Sequence, residues 1–142
     1  MYKVVNFAAH GDLRGQLVAL ESHIDFPFSV KRVYYVYGSS QDVVRGKHAH
    51  HNLSQLLVCV SGSCDFTLDD GFERTVIHMD SPTKGLLLTG LVWREFTNFS
   101  KDCVVVVLAS EHYDTSDYIY DYEDFLKLAR SKNDSISRLK EN

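Results

Sequence analysis

The stretch Arg45-Gly46-Lys47-His48-Ala49-His50-His51, followed by Gln55 and Gly62, decides how this chain is read. In an extended strand successive side chains point to opposite faces, so residues i and i+2 share one face, with Cα atoms roughly 6.5–7 Å apart. His48 and His50 therefore project together, and His51 points away. Two imidazoles side by side can hold a metal, move a proton, or simply belong to a polar strand surface. Proton transfer suits them because an ordinary histidine pKa of about 6.5 lets the ring act as base and then as acid near neutrality.

Outward from this stretch the chain is a succession of short β-rich segments: Tyr2–Phe7, Gln16–Glu21, Lys31–Tyr37, Gly46–His51, Gln55–Ser61, Cys64–Asp69, Glu73–Met79, Gly85–Thr89, Val92–Asn98 and Cys103–Ser110. Turn signals such as His10-Gly11-Asp12, Ser61-Gly62-Ser63 and Ser81-Pro82-Thr83 separate them. Many short strands at this spacing predict an all-β sandwich or small barrel. Asp70-Gly71 between two alternating runs signals a hairpin. Cys103-Val104-Val105-Val106-Val107-Leu108 is apolar on both faces and predicts a central strand covered on both sides. Only Asp121–Arg130 changes period: Tyr122, Phe125, Leu126 and Ala129 recur at helical spacing, with Asp121 placed to cap. One short C-terminal helix is expected, then a polar, fraying tail from Ser131 to Asn142.

A chain of 142 residues, 44% hydrophobic, fits one domain spanning 1–142 and supports a core without disulfides or structural metal. Its net charge is −4 and no basic stripe appears, which argues against nucleic acid and anionic membranes as partners. A nucleotide-sized ligand needs only a few local arginines. Cys59, Cys64 and Cys103 are odd in number and form no C-x-x-C pair, so they read as small buried hydrophobes in a reducing compartment. The N-terminus lacks the pattern of a signal peptide, and no apolar run approaches the roughly 20 residues of a membrane helix. The expected location is the cytoplasm.

The spacing His-x-His, four residues, Gln, six residues, Gly is similar to the first metal motif of the cupin barrels, with Gln55 where that motif has Glu. The later cupin motif places a His where Gly90-Leu91-Val92-Trp93 has Trp93. An amide and an indole supply neither the charge nor the lone pair that a divalent metal needs. No metal and no other cofactor is therefore expected, and the pair is left for acid–base work. Moving a carbonyl to the neighbouring carbon asks for this: a base takes the proton alpha to the ketone, an enediol forms, and a proton returns to the other carbon. The oxyanion needs a donor, for which a second His or a Tyr can serve.

Further motifs extend the likeness: Asp12-Leu13-Arg14-Gly15-Gln16-Leu17, Phe28-Ser29-Val30-Lys31-Arg32-Val33-Tyr34-Tyr35, Arg45-Gly46-Lys47-His48-Ala49-His50, Leu68-Asp69-Asp70-Gly71, Trp93-Arg94-Glu95 and Tyr113-Asp114-Thr115-Ser116-Asp117-Tyr118-Ile119. In this order, from about Asp12 to Phe125, the chain resembles the sugar nucleotide 3,4-ketoisomerases of the cupin superfamily, the WxcM-like proteins. The resemblance implies a cupin jelly-roll barrel, a homodimer, no metal, and dTDP-4-keto-6-deoxyglucose as substrate. The 3-keto-6-deoxyhexose product would feed 3-amino sugar synthesis for surface polysaccharides such as O-antigen, lipopolysaccharide and S-layer glycan. His48 carries over as the proton-abstracting base and His50 as its partner. Sheet edges need covering, and the expected dimer adds strand Tyr2–Phe7 to the partner's sheet.

Arginines are natural pyrophosphate donors. Arg14 is read either as a ligand contact or as a surface ion pair. Arg32 and Tyr34 share a strand face, taken as interior, and Arg45 lies near the barrel mouth. Gln55 and Trp93 are expected to line the site. Trp93 and Glu95 share a parity that Arg94 lacks, so Arg94 faces out if Trp93 faces in, unless a bulge intervenes; the resemblance nevertheless implies a substrate-binding role for Arg94. Tyr113, Tyr118, Tyr120 and Tyr122 either pack over the barrel or stack on thymine. His10, His23, His78 and His112 read as structural or exposed. Alternatives to the isomerase are a 3,5-epimerase, whose His–Asp pair is not visible in this sequence, a non-catalytic nucleotide-sugar-binding cupin, and a metal-dependent oxygenase.

Overall fold

The computed structural model describes residues 1–140, which form twelve strands, numbered in chain order, and one C-terminal helix. One five-stranded sheet runs in the order β1 (Tyr2–Asn6), β9 (Lys84–Leu88), β6 (Gln55–Ser61), β11 (Val104–Ala109), β4 (Arg32–Tyr37). The other runs β12 (Tyr118–Ile119), β5 (Arg45–His50), β10 (Trp93–Thr97), β7 (Cys64–Asp69), β8 (Arg74–Met79). All pairings within the two sheets are antiparallel. Leu57, Leu86, Leu88, Val105 and Val107 of the first sheet meet Phe66, Leu68 and Phe96 of the second in one buried cluster. Burying each such side chain contributes about 1.5–3 kcal/mol, and this cluster fixes which face of every strand looks inward.

β11 lies between β6 and β4, as a central strand should. Its inner residues Val105, Val107 and Ala109 are buried, whereas Val104, Val106 and Leu108 are half-buried. The expected cover is thus complete on one side only. On β6 the outer face is closed by Phe26 and Phe28, which pack on Leu56 and Val58. The β7–β8 hairpin turns at Asp70-Gly71 as expected. Gly71 sits at φ +97°, and a Cβ there would lie 2.7 Å from Ala129 Cβ.

Strand β1 pairs along its length, Tyr2–Asn6, with Leu88–Lys84 of its own chain, and as the edge of its sheet it has no second described strand beside it. Two expectations need correction. Of the segment Gln16–Glu21 only Gln16 and Leu17 are strand: β2 (His10–Asp12) and β3 (Gly15–Leu17) form a hairpin closed by Asp12, which accepts from Arg14 N at 2.8 Å. The helix is not short: α1 spans Tyr122–Lys140. Its first turn is capped by Asp121, whose Oδ1 accepts from Asp124 N at 2.9 Å. Beyond Arg130 the face is exposed, but the residues from Lys132 to Lys140 include no Gly or Pro to stop the helix. Residues 141–142 of the expected fraying tail lie outside the described residues. No described helix is long and apolar enough to cross a membrane.

Candidate active site

β5 carries the histidine pair and departs from regular pairing at one point. Arg94 of β10 opposes His48, while Glu95 opposes Gly46, so Lys47 is an extra residue in the ladder. Lys47 adopts φ +54° and Gly46 φ +85°. A Cβ on Gly46 would stand 2.9 Å from Arg94 O, so the bulge needs glycine there. Past the bulge His48 and His50 face inward, with ring centroids 4.8 Å apart at 89°. Ala49 points the other way, into the cluster under α1, and His51 is exposed.

A cavity of about 300 Å³ opens between the sheets, lined by Arg32, Tyr34, Val36, Arg45, Gly46, His48, Phe96, Tyr113 and Tyr118. Arg32 and Tyr34 thus face the interior, as their strand parity predicts, and Arg45 stands at the mouth. The Arg32 guanidinium lies over the rings of Tyr34 and Tyr113, at 5.5 and 5.7 Å. His48 reaches the open space; His50, 1% exposed, sits behind it. A larger hollow of about 650 Å³ lies at the Ser39–Gln41 and Asn98–Lys101 turns, but its lining holds no acid–base pair.

Behind the cavity the polar groups are linked. Arg94 is 1% exposed; its Nη1 donates to Gln55 Oε1 in a short hydrogen bond and its Nη2 to Val92 O at 2.9 Å. The amide of Gln55 is thereby oriented, and its Nε2 donates to Tyr34 Oη at 2.9 Å. The Tyr34 hydroxyl keeps its own proton to give. Burial raises its pKa above the usual phenol value, so it stays a donor.

His50 Nδ1 lies 3.0 Å from Asp117 Oδ2. The other carboxylate oxygen accepts from Asn52 N at 2.8 Å. Asp117 ends a 3-10 turn, Thr115–Asp117, just before β12. Tyr118 closes the group, its ring 4.3 Å from that of His50 and 5.0 Å from that of His48, and Tyr120 stacks on Tyr118 at 5.3 Å and 15°. Burial holds His48 down to about 4 and, with the Arg94 and His48 charges, His50 down to about 2. Both rings are neutral at pH 7. His50 then donates a hydrogen bond from its Nδ1–H to Asp117, which leaves Nε2 with a lone pair; that atom is buried without a protein partner.

Set against the sequence reading, the structure brings together His48, His50, Arg32, Tyr34, Arg45, Gln55 and Arg94. It corrects Trp93, which does not line the cavity: it packs on the outer face with Ala49, Ile119, Phe125 and Ala129, and its Nε1 donates to Glu95 Oε1 at 3.3 Å. Helix α1 covers that face, so the parity of β10 is the reverse of the one assumed, and Arg94 enters the interior without help from a bulge in its own strand. Arg14 also lies elsewhere, at the tip of the β2–β3 hairpin. Its side chain is 91% exposed and paired with Asp12 at 2.6 Å. The His–Asp pair not visible in the sequence is present as His50 and Asp117. The tyrosines divide: Tyr113 and Tyr118 line the cavity, whereas Tyr122 anchors α1 by donating to Asp69 Oδ2 at 2.6 Å. None of His10, His23, His78 and His112 lines it. Two imidazoles, one tied to a carboxylate, beside an amide and a guanidinium cation make a donor set that does not suit a divalent metal.

The family described as "FdtA: WxcM-like, C-terminal" matches residues 1–130. A TDP-4-oxo-6-deoxy-alpha-D-glucose-3,4-oxoisomerase of Aneurinibacillus thermoaerophilus is 50% identical over 125 residues, 88% of this chain and 90% of that one. Two solved structures are similar over most of the chain. One is a histidine-to-asparagine mutant of the 3,4-ketoisomerase QdtA from Thermoanaerobacterium thermosaccharolyticum, in complex with TDP-4-keto-6-deoxyglucose. It is 38% identical with a TM-score of 0.90, over 92% of this chain and 94% of that one. The other is the WlaRB TDP-quinovose 3,4-ketoisomerase of Campylobacter jejuni, 44% identical with a TM-score of 0.86, over 89% and 97%.

Proposed function

We infer that this chain, which belongs to the FdtA (WxcM-like, C-terminal) family, is a 3,4-ketoisomerase acting on TDP-4-keto-6-deoxyglucose, built on a cupin jelly-roll barrel. The observation that carries the chemistry is the neutral His48 ring at the cavity wall, backed by His50 and flanked by the Tyr34 hydroxyl. His48 takes the C3 proton. As C4=O gains negative charge, Tyr34 Oη donates to it, held by the Arg94–Gln55 chain, and a 3,4-enediol results. Return of a proton to C4 and loss of the C3 hydroxyl proton leave the ketone at C3. His50, with its tautomer held by Asp117, keeps a lone pair toward His48 and the reacting carbons. No step calls for a metal or cofactor. Arg32 and Arg45 supply charge for the pyrophosphate, and Tyr113 and Tyr118 offer aromatic faces to the base.

The 3-keto product suits an aminotransferase making a 3-amino sugar for surface glycans, and a nucleotide-sugar substrate fits a cytoplasmic enzyme. The working unit is a homodimer in which β1, an edge strand, adds to the partner's sheet; Arg14, outside the cavity of its own chain, serves a site only across that dimer. Light scattering checks the dimer: a monomer at micromolar concentration contradicts it and removes Arg14 from the site.

A second reading, epimerisation of the same ketone, is favoured by one observation, the His50–Asp117 pair. Incubation with TDP-4-keto-6-deoxyglucose and NMR of the product separates the two. The isomerase gives a 3-keto sugar. A 4-keto product with altered configuration at C3 or C5 supports the epimerase instead, and unchanged substrate supports a binding protein.

A further inference from the structure

Cys59, Cys64 and Cys103 take no part in the chemistry above, yet the fold brings them together. Their Sγ atoms all lie within 4.8 Å of one another, with Cys59 and Cys103 at 3.8 Å, and all three residues are buried. The thiols come from three places: the end of β6, the start of β7, and the residue before β11. Cys59 and Gln55 share the inner face of β6 four residues apart, which puts the cluster about 13 Å along the strand from the catalytic residues.

From this cluster we propose a binding site for one soft, thiophilic cation of the monovalent-copper class. Sulfur donors select such ions. A metal–sulfur bond of about 2.3 Å places three sulfurs around one ion at about 4 Å from each other in a trigonal plane. The thiols already stand near that spacing, so little backbone movement is needed. The two turns that carry them are locked together. Ser100 N donates to Ser63 O at 2.9 Å, and Ser63 N donates to Ser100 Oγ at 2.9 Å. Gly62, at φ +65°, admits this contact, since a Cβ would lie 2.2 Å from Ser100 Oγ.

Binding forms three metal–sulfur bonds and breaks three S–H bonds. The protons leave to solvent and no electron is transferred. A hollow lined by Ser63, Phe99, Ser100 and Lys101 lies at the turn contact beside the cluster.

The test uses the reduced chain and cadmium(II), a soft divalent ion, as an optical probe of thiolate binding. The expected result is an ultraviolet sulfur-to-cadmium charge-transfer band that saturates at one ion per chain, with about three protons released and a raised thermal midpoint. Copper(I) should displace cadmium, which is then recovered as one free ion per chain after ultrafiltration. Cys103→Ala should weaken cadmium binding by at least about tenfold. Absence of the band at one equivalent, failure of copper(I) to displace cadmium, or undiminished binding by Cys103→Ala overturns the proposal. If Cys103→Ala does not fold, the wild-type stoichiometry and midpoint decide, because an ion held only by the unfolded chain lowers the midpoint. Histidine-bound cadmium gives no such band, so the readout is independent of the isomerase site.

Discussion

Gln55 and Cys59 point to the same interior from one strand, yet the two ends they mark are built on opposite terms. At the Gln55 end, His50 Nε2, Arg32 Nε and Arg94 Nε are buried without a partner. At the Cys59 end, the turn groups of Ser63, Ser100 and Asp102 are joined by hydrogen bonds. An unpaired buried polar group costs about 1–3 kcal/mol. Three at one end suit the proposed substrate, which is rich in oxygen. The contrast separates the proposed site from the rest of the molecule better than cavity size does, since the larger hollow lies near the satisfied end.

The sharpest way to break this comparison is to remove the base. His48→Asn should lower turnover by ~10²–10⁴-fold while TDP still binds, and His51→Asn, on the exposed face, should change little. Equal effects from both would mean that β5 is out of register by one residue. Next is the donor: Tyr34→Phe should cost ~10²–10³-fold in kcat with KM nearly unchanged, measured by steady-state kinetics. A rise in KM alone would make Tyr34 a binding residue.

Asp117→Asn comes third. Losing a hydrogen bond to a charged group removes about 1.5–3 kcal/mol, or about 10- to 100-fold in turnover, without loss of fold by circular dichroism. Trp93→Ala belongs to the structural side of the comparison. It should lower stability by about 3–5 kcal/mol in urea unfolding and leave the KM of the folded fraction in place.

The smallest effect is on pH. His48 acts as base only when neutral, and burial holds it down to about 4. The kcat/KM of the free enzyme should therefore stay level as pH falls from 7 to 5 and decline only nearer 4. An acid limb at 6.5 would show that the ring is solvated in the working enzyme.

Much of this site was legible from strand parity. His48 with His50, and Arg32 with Tyr34, needed only the period of two and a guess at which face was inner. Gln55 was legible as a lost ligand, though its service to Tyr34 and Arg94 was not. Trp93 was misplaced because β10 is apolar on both faces at that end, and only the docking of Phe125 and Ala129 shows which one the helix covers. Asp117 lies 67 residues from His50, and no local pattern reports so distant a pairing. The cysteines were invisible as a group for the same reason: a bulge in the β6–β11 ladder between Val104 and Val105 and a turn-to-turn contact bring them together. The helix end was underestimated because polar, exposed residues carry no amphipathic signal, while their propensity still favours helix.

The central claim is that His48 removes the C3 proton of a TDP-linked 4-keto sugar. Its most direct test follows deuterium by NMR in heavy water, with TDP-4-keto-6-deoxyglucose and either wild-type protein or His48→Asn. The wild type should yield a 3-keto sugar carrying deuterium at C4. Exchange at C3 of recovered substrate should fall in parallel with turnover in His48→Asn. Undiminished C3 exchange in His48→Asn would contradict the claim.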